Sequence, residues 1–252
     1  MIPLLGVLCL NRGDLLLRMV DSIDYPVDKL AIVQNGCEPD VEAAIKQIAS
    51  TKGMINTVYV ERPFRNIGVC PAWNSIIKSF PEMPFWLIAN NDTVFLPGDL
   101  EKYHKTWEAN QTSLIAASNG SFSCFVISPF IVATVGLFDE NIWPIYHEDS
   151  EFYIRMNKVG IKRISIDSDL GYSGDGSWTI RSSVKYNSSN NSTQESNRIY
   201  VEQKWGKDSE FTYPWDDISG NIKDWYYDPQ RRLDHSKIWG HFEETANKQE
   251  IL

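Results

Sequence analysis

Short apolar runs alternate with segments of helical periodicity through the first 100 residues, and this alternation restricts the possible folds more than any other feature. The runs at residues 4–10, 30–33, 58–60 and 85–88 have the length of buried strands. Between them, apolar residues recur every three or four positions, as on one face of a helix. Repeated strand–helix units form right-handed βαβ connections and a parallel sheet covered on both faces. The sequence therefore predicts an α/β domain with a mostly parallel twisted sheet flanked by helices.

Beyond the first 100 residues the alternation is less regular. Residues 123–128 and 162–166 predict two further strands. The periodicity then fades, because residues 186–193 are a run of Asn, Ser and Thr typical of a polar loop. The chain that follows is rich in Trp and Tyr. We therefore predict one large domain over residues 1–182 and an aromatic-rich C-terminal extension over residues 183–252 that packs on it.

The overall charge argues against a nucleic-acid partner. The 252 residues carry a net charge of -9, whereas nucleic-acid binders need a positive surface. The longest apolar runs, such as residues 2–10, are far shorter than the roughly 20 residues that span a membrane. No basic residue precedes that run, as a secretion signal would require. We therefore expect a cytoplasmic protein without a membrane span.

The cysteine pattern agrees with a reducing compartment. The sequence contains no C-x-x-C pair, and two of its cysteines lie inside apolar strand-like runs. We expect free thiols at all four positions, which are Cys9, Cys37, Cys70 and Cys124.

Polar side chains follow the strands predicted in the first half of the chain. Asn11, Asn35, Asn66 and the run Asn90-Asn91-Asp92 each stand where a strand ends. Parallel α/β sheets bind ligands beyond the carboxyl ends of their strands, so these side chains would gather at a binding edge. Asn and Gly also end strands for conformational reasons alone. Strand ends by themselves therefore do not distinguish a binding site from ordinary turns.

Asp92 is the candidate metal ligand. It follows an apolar strand, and a carboxylate in that position can hold Mg²⁺ or Mn²⁺ against a diphosphate. The same Asn-Asp sequence is also typical of a plain turn.

The connection between the third strand and the third helix carries a second motif. Gly68 would let the backbone approach a ligand closely. Asn66 and Asn74 can hydrogen-bond a ribose, a phosphate or a transferred sugar. The alternative is a strand-to-helix turn in which the polar residues cap the helix.

Acidic residues cluster at Phe138-Asp139-Glu140 and again at His147-Glu148-Asp149. An acidic pair at the edge of a pocket can act as the general base toward a hydroxyl group. Helix N-termini also favour acidic side chains, so the second cluster has a structural explanation as well. Crowding raises the pKa of one of its carboxyls and the helix terminus lowers it, and the sequence leaves the sum open.

Taken in order, these motifs resemble glycosyltransferase family 2, whose members are inverting enzymes with the Rossmann-like GT-A architecture. The resemblance covers about residues 4 to 180. The matching pieces are Asn11-Arg12 after the first strand, Val33-Gln34-Asn35-Gly36 at the end of the second, Arg65-Asn66-Ile67-Gly68 with Asn74, Asn90-Asn91-Asp92 in the place of the DXD metal motif, and the run from Gly136 to His147-Glu148-Asp149; Lys204-Trp205-Gly206 resembles a short tail motif.

The resemblance implies a catalytic domain that is a hexosyl- or pentosyltransferase. It would move a sugar from a UDP-, GDP- or dTDP-type donor to a glycan or other hydroxyl acceptor, with Mn²⁺ or Mg²⁺ at Asp92. Asp149 is implied as the base, and Glu148 and His147 as residues that shape the acceptor pocket. Trp178 and Asp175 are implied on the acceptor side, although a core position for Trp178 is as consistent with the sequence. The implied nucleotide-sugar contacts are Asn11, Arg12, Asn35, Arg65, Asn66, Gly68, Asn74, Asn90 and Asn91.

The chain departs from the family pattern in three places. Asn90 and Asn91 stand where acids are common, which leaves Asp92 as the only anionic ligand of that motif. Asn35 replaces a frequent Asp at the nucleotide pocket. A late His near a Gly/Ser-rich turn is missing from residues 171–178, where Asp175 is the candidate replacement.

Two other functions stay open at this point. A sugar nucleotidyltransferase would need a Gly-rich basic loop after the first strand, whereas residues 10–15 hold one Gly and one Arg. A non-catalytic nucleotide- or sugar-binding protein with a degenerate metal site is favoured by the Asn pair and the missing His. The sequence leaves the donor base, the acceptor and the oligomeric state undetermined.

Overall fold

A computed structural model describes residues 1–36, 38–51, 53–117, 122–166, 171–172 and 184–205. The helices are α1 (Gly13–Asp21), α2 (Pro39–Thr51), α3 (Val69–Ser79), α4 (Asp99–Ala109), α5 (Pro129–Val135), α6 (Glu148–Lys158) and α7 (Val184–Trp205). The strands are β1 (Ile2–Cys9), β2 (Val27–Gln34), β3 (Ile55–Glu61), β4 (Trp86–Asn90), β5 (Thr93–Val94), β6 (Leu114–Ala117), β7 (Cys124–Ile127), β8 (Arg163–Ile166) and β9 (Gly171–Tyr172).

Within these residues, seven strands form one sheet in the order β3-β2-β1-β4-β7-β6-β8. The four strands of the N-terminal half pair in parallel, as the strand–helix alternation predicts. The strand β7 runs antiparallel to both β4 and β6, and β8 is again parallel to β6. The predicted α/β fold with a mostly parallel sheet is therefore confirmed. Among the described helices, none is long and apolar enough to cross a bilayer.

The sheet has a hydrophobic core on each face. On one face, α1 and α2 contribute Leu16, Met19 and Ile45 to an aliphatic core. On the other face, α3 and α6 pack around an aromatic cluster in which Trp73 contacts Phe138. Burial on both faces explains why the strands read as continuous apolar runs in the sequence.

The C-terminal helix α7 corrects the prediction of a polar loop at residues 186–193. These residues lie inside a helix of 22 residues, although their composition is polar. The face of α7 that packs on the core also carries polar residues such as Asn197 and Lys204, so no apolar period marks it in the sequence. Tertiary contacts rather than an amphipathic pattern therefore place this helix. The predicted extension beyond residue 205 lies outside the described residues.

A cluster of buried charges anchors α7 to the domain. The Lys204 ammonium donates to Asp139 Oδ2 at 2.8 Å and to Glu151 Oε1 at 2.6 Å. Arg155 donates to both oxygens of Glu151 at 2.7 to 3.0 Å. Two acids and two bases therefore share one buried site, and their charges cancel.

The neighbouring positive charge affects the pKa of Asp139. Burial alone would raise the pKa of this carboxyl, but the charge and hydrogen bond of Lys204, with the hydroxyl of Tyr200, hold the pKa below its usual range. The Lys204 side chain is 1% exposed and has no route to solvent. The cluster is therefore stable only while all of its members are present.

Replacing Lys204 with Met tests this dependence. The substitution keeps the length of the side chain but leaves buried carboxylates without their cation, so we expect the free energy of unfolding to fall by about 3 to 5 kcal/mol. Urea unfolding at neutral pH measures the change. Lys105→Met, which breaks an exposed pair with Glu101 on α4, should cost no more than about 1 kcal/mol. Equal effects of the two variants would contradict the role given to Lys204.

Candidate functional site

A cleft opens where β1, β2 and β4 end, because the sheet order places these strands side by side. The cleft is open to solvent, and its empty volume, counted up to the open mouth, is ≈ 520 Å³. The cleft is lined by strand ends, by the β3–α3 loop and by the loop before α6: Leu8, Leu10, Asn35, Asn66, Gly68, Val69, Asn90, Asn91, Pro144 and Ile145.

Gly68 joins the two loops that form one wall of the cleft. Its φ is 87°, and a Cβ added there would lie 2.6 Å from Cδ1 of Trp143. The backbone N–H of Val69 donates to the carbonyl oxygen of Pro144 at 2.8 Å. Only glycine allows this approach in this backbone conformation. The start of α3 is therefore held directly against the segment that precedes α6.

Asn35 braces the end of β2 against the same loop. Its Nδ2 donates to the Gly68 carbonyl oxygen at 3.0 Å, and its Oδ1 accepts from the Ile67 N–H at 2.8 Å. Asn66 Oδ1 accepts from the Gly68 N–H at 2.9 Å. Both amides thus line the cleft and also fix its loop, and a nucleotide contact by either of them stays a prediction.

The end of β4 is tied to the end of β1. Asn91 Nδ2 donates to the Asn11 carbonyl oxygen at 3.0 Å and to the Cys9 sulfur at 3.4 Å. The next residue, Asp92, is 4% exposed in the turn that leads to β5. Asn90, which lines the cleft, is fixed by its backbone N–H on the Ser123 carbonyl oxygen. The three residues of the predicted metal motif therefore occupy a rigid strand end.

Asn74 lies apart from the cleft lining and connects α3 to the first acidic cluster. Its side-chain amide donates to the Phe138 carbonyl oxygen and accepts from the Phe138 N–H, both at 2.9 Å. It also donates to Glu140 Oε1 at 3.0 Å. This arrangement presents Asp139 to the buried charge cluster rather than to the cleft.

The two predicted arginine contacts differ in their surroundings. Arg12 precedes α1 with a left-handed backbone, and its guanidinium donates twice to Asp14 at 2.7 Å. Arg65 lies in the β3–α3 loop directly before Asn66, and burial lowers the pKa of its guanidinium. The charge of Arg12 is therefore already matched by Asp14, whereas Arg65 is exposed beside the lining residue Asn66.

Gln34, which precedes the lining residue Asn35, is a candidate ligand contact that the sequence reasoning did not assign. It ends β2 on the face covered by α1 and α2 and is 8% exposed. Its Oε1 has no hydrogen-bond partner among the residues that the structure describes. Such a group is costly to bury unless a ligand satisfies it. The available signal was a Gln at an inward position that directly follows the apolar run 30–33.

The backbone before α6 is strained. Tyr146 and His147 have φ values of 76° and 73°, which are uncommon for residues other than glycine. Each such residue costs about 1 to 3 kcal/mol unless its surroundings compensate. The helix begins with Glu148 immediately after them. Strain is therefore stored at the segment that presents the predicted acidic pair.

Glu148 and Asp149 differ in their environments. Burial, and then the neighbouring charge of Asp149, raise the pKa of the Glu148 carboxyl to about 8. Its Oε2 is shielded from solvent and has no hydrogen-bond partner among the described residues. Asp149 Oδ1 instead accepts from the Ser150 N–H at 2.7 Å. At neutral pH, Glu148 is therefore mainly protonated beside Asp149.

His147 is mainly neutral at physiological pH. Burial lowers the pKa of its imidazole, and the charge of Arg198 on α7 lowers it further although Asp149 opposes this. A neutral imidazole offers one N–H donor and one acceptor nitrogen next to the acidic pair.

The described residues offer little protein coordination for a metal. They contain no group of three or more His, Cys, Asp or Glu side chains that could hold a metal ion. Asp92 is a single carboxylate, and the amide nitrogen of Asn91 is already committed to β1. Mg²⁺ is commonly held by one or two carboxylates together with substrate phosphates. The residues therefore fit a divalent cation only in company with a diphosphate. Two further predicted residues, Trp178 and Asp175, lie outside the described residues.

A second groove, between β3 and α3, suits a polar ligand less well. Its empty volume of ≈ 710 Å³ exceeds that of the cleft. Glu61 is the one charged residue of its lining, and Tyr59 and Phe80 form much of its surface. It also lacks the converging amides of the strand-end cleft, which remains the better candidate for a nucleotide.

The fold is similar to those of solved glycosyltransferases. The mannosyltransferase PcManGT from Pyrobaculum calidifontis, solved with GDP-Man and Mn2+, has a TM-score of 0.55 at 14% identity, over 71% of this chain and 60% of that one. S. aureus TarS 1-349 in complex with UDP has a TM-score of 0.51 at 14% identity, over 68% and 59%. The chain thus spans about three fifths of each neighbour. No protein-family model matches the chain, and no curated protein matches it in sequence. The likeness establishes a glycosyltransferase fold.

The raised pKa of Glu148 predicts how stability depends on pH. Between the ordinary glutamate value of 4.5 and about 8, the folded protein keeps a proton that the unfolded chain releases, so stability falls as pH rises. Each pH unit in this window costs up to about 1.4 kcal/mol. Glu148→Gln removes this titrating group. Between pH 5 and pH 8 the free energy of unfolding should therefore fall in wild type by about 2 to 4 kcal/mol more than it does in Glu148→Gln.

Urea unfolding across that pH range checks the prediction. Glu101→Gln, on the surface of α4, should follow the wild-type curve because Glu101 is half exposed. Parallel curves for wild type and Glu148→Gln would show that this carboxyl titrates normally.

Proposed function

We propose that the chain is an inverting glycosyltransferase of the family 2 type, which moves a sugar from a nucleoside-diphosphate donor to a hydroxyl acceptor. One observation carries the proposal: in a glycosyltransferase fold, a single cleft is lined by the ends of β1, β2 and β4 and by the loop that leads to Glu148-Asp149. Donor-binding groups at the strand ends and acceptor-activating groups at the start of α6 would thus meet at one site. The groove between β3 and α3, whose described lining has Glu61 as its one charged residue, has no comparable pair of sides.

The nucleotide end of the donor would lie across the ends of β1 and β2. Gln34 offers an amide whose buried oxygen needs a donor, and an amide is the group that pairs with the edge of a nucleobase. Asn11 and Arg12 follow β1, Asn35 follows β2, and Arg65 lies in the β3–α3 loop, so these residues belong to the same edge of the sheet. Asn66 and Gly68 place backbone and amide groups where a ribose or phosphate would pass.

Asp92 would hold Mn²⁺ or Mg²⁺ together with the donor diphosphate. When bound, the cation supplies positive charge that stabilises the departing nucleoside diphosphate. Asn90 and Asn91 keep Asp92 at a fixed strand end rather than adding charge to it. The protein therefore contributes one anionic ligand, and the substrate contributes the rest.

Asp149 would act as the general base. It takes the proton of the acceptor hydroxyl while that oxygen forms a bond to the anomeric carbon. The bond from this carbon to the diphosphate oxygen breaks, and the electron pair leaves with the nucleoside diphosphate. Attack from the face opposite the leaving group inverts the anomeric centre. Glu148, neutral at pH 7, does not compete for the proton and can donate a hydrogen bond to the acceptor.

A donor screen tests the proposed function. Wild-type protein is incubated with UDP-, GDP- and dTDP-sugars, sugar acceptors and Mn²⁺, and released nucleoside diphosphate is measured. We expect release with one donor class, and a loss of at least about a thousandfold in Asp149→Asn because the base is gone. Donor binding, measured by calorimetry, should survive in that variant. Normal turnover by Asp149→Asn would show that another group is the base.

Removal of the Asp92 charge separates the enzyme from the non-catalytic alternative. Asp92→Asn keeps the size of the side chain but removes its only formal charge, so Mn²⁺ should no longer strengthen nucleoside-diphosphate binding. Calorimetry with UDP, GDP and dTDP, with and without Mn²⁺, measures this difference. Binding by wild type that ignores Mn²⁺, with no turnover, would favour a nucleotide- or sugar-binding protein instead.

A further inference from the structure

The left-handed segment before α6 is supported on one side by α7. Asn197 is 4% exposed, and its Nδ2 donates to the carbonyl oxygens of Ile145 at 3.0 Å and Tyr146 at 3.2 Å. An amide nitrogen carries two hydrogens, so each can serve one of the two carbonyl oxygens. The two peptide groups flank the first strained residue, and Asn197 therefore fixes their orientation.

The same face of α7 is anchored on the C-terminal side of this contact. Tyr200 donates to Asp139 at 2.7 Å, and Lys204 bridges Asp139 and Glu151. The spacing from Asn197 to Tyr200 and Lys204 places all three on one helix face. The position of the Asn197 amide is therefore set by buried charges rather than by its own contacts.

The opposite side of the segment is the wall of the cleft. The Pro144 carbonyl oxygen accepts from the Val69 N–H, and Trp143 packs against Gly68. The segment thus lies between α7 and the start of α3, and it leads directly into Glu148. A rotation of the Tyr146 or His147 peptide would change the direction in which α6 begins, and with it the positions of Glu148 and Asp149.

We infer that Asn197 is a positioning residue for the proposed base. It holds Tyr146 and His147 in their left-handed backbone, so that Asp149 keeps its orientation toward the acceptor, although Asn197 itself touches neither substrate. The inference rests on the proposed function. In this inference, α7 helps to fix the backbone that carries the proposed base, a role that the polar sequence of the helix does not reveal.

Asn197→Ala tests the inference because it removes both donated hydrogen bonds and adds no charge. We expect kcat to fall at least tenfold, since the base segment samples other backbone conformations. The KM for the donor and the affinity for nucleoside diphosphate should change less than about twofold, since the strand-end contacts are untouched. Gln194→Ala, on the exposed face of α7 one turn earlier, is the matched control and should behave as wild type.

Hydrogen exchange followed by mass spectrometry supplies a readout that needs no substrate. Peptides covering residues 143–149 should exchange faster in Asn197→Ala than in wild type, while α1 and α2 should not change. If Asn197→Ala does not fold, Asn197→Ser keeps one donor and should show a smaller change of the same kind. Unfolding of both variants would mean that Asn197 serves stability alone, and the inference would be wrong.

The failure of this inference can be told apart from failure of the proposed function. Wild type that releases no nucleoside diphosphate and binds none contradicts the proposed function, whatever the exchange data show. Wild type that is active, with full kcat retained in Asn197→Ala, contradicts the positioning role. Unchanged exchange at residues 143–149 in Asn197→Ala would contradict it as well.

Discussion

The site depends on the way parallel strands end together at one edge of the sheet. β1 lies between β2 and β4, so the three strands deliver their last residues to one place. Backbone groups beyond the last ladder hydrogen bond need other partners, and a ligand or a polar side chain must provide them. Asn side chains do much of this work here, since Asn35 and Asn91 each cross from one strand end to a neighbouring loop. The cleft is consequently stiff before any donor arrives.

Stiffness at the strand ends contrasts with strain in the segment before α6. The segment before α6 carries two left-handed residues in succession, and it is fixed by contacts from α3 and α7. Buried charges hold α7 in place, because Lys204 joins Asp139 to Glu151 in the interior. Burial and the neighbouring charge of Asp149 raise the pKa of the Glu148 carboxyl, which is therefore mainly protonated at neutral pH. The acidic segment at the start of α6 therefore depends on α7, a helix that has no member among the described residues lining the cleft.

The sequence predicted the sheet well because its signals are local. Apolar runs and helical periods marked the strands and helices of the N-terminal half, and Gly68 marked a close backbone approach. The order of the motifs also predicted which loops meet at the strand ends. What the sequence could not supply is how each amide is used. Asn35 and Asn74 were read as ligand contacts, and the structure shows each of them bonded to backbone groups of distant loops.

The C-terminal helix was missed for a physical reason. Its inward face buries Asn197 and Lys204, whose partners come from residues about 50 to 65 positions earlier. The spacing of apolar residues cannot reveal a helix face that packs through hydrogen bonds and ion pairs. Gln34 escaped notice for a similar reason, since only the structure shows that its oxygen is buried without a partner among the described residues.

The central claim is that a nucleoside diphosphate binds at the strand ends. Hydrogen exchange of the backbone amides, measured with and without GDP or UDP and Mn²⁺, tests it most directly. The account predicts slower exchange in residues 65–69 and 90–94, and unchanged exchange around Tyr59 and Phe80 in the second groove. Protection of the second groove with no change at the strand ends would contradict the account.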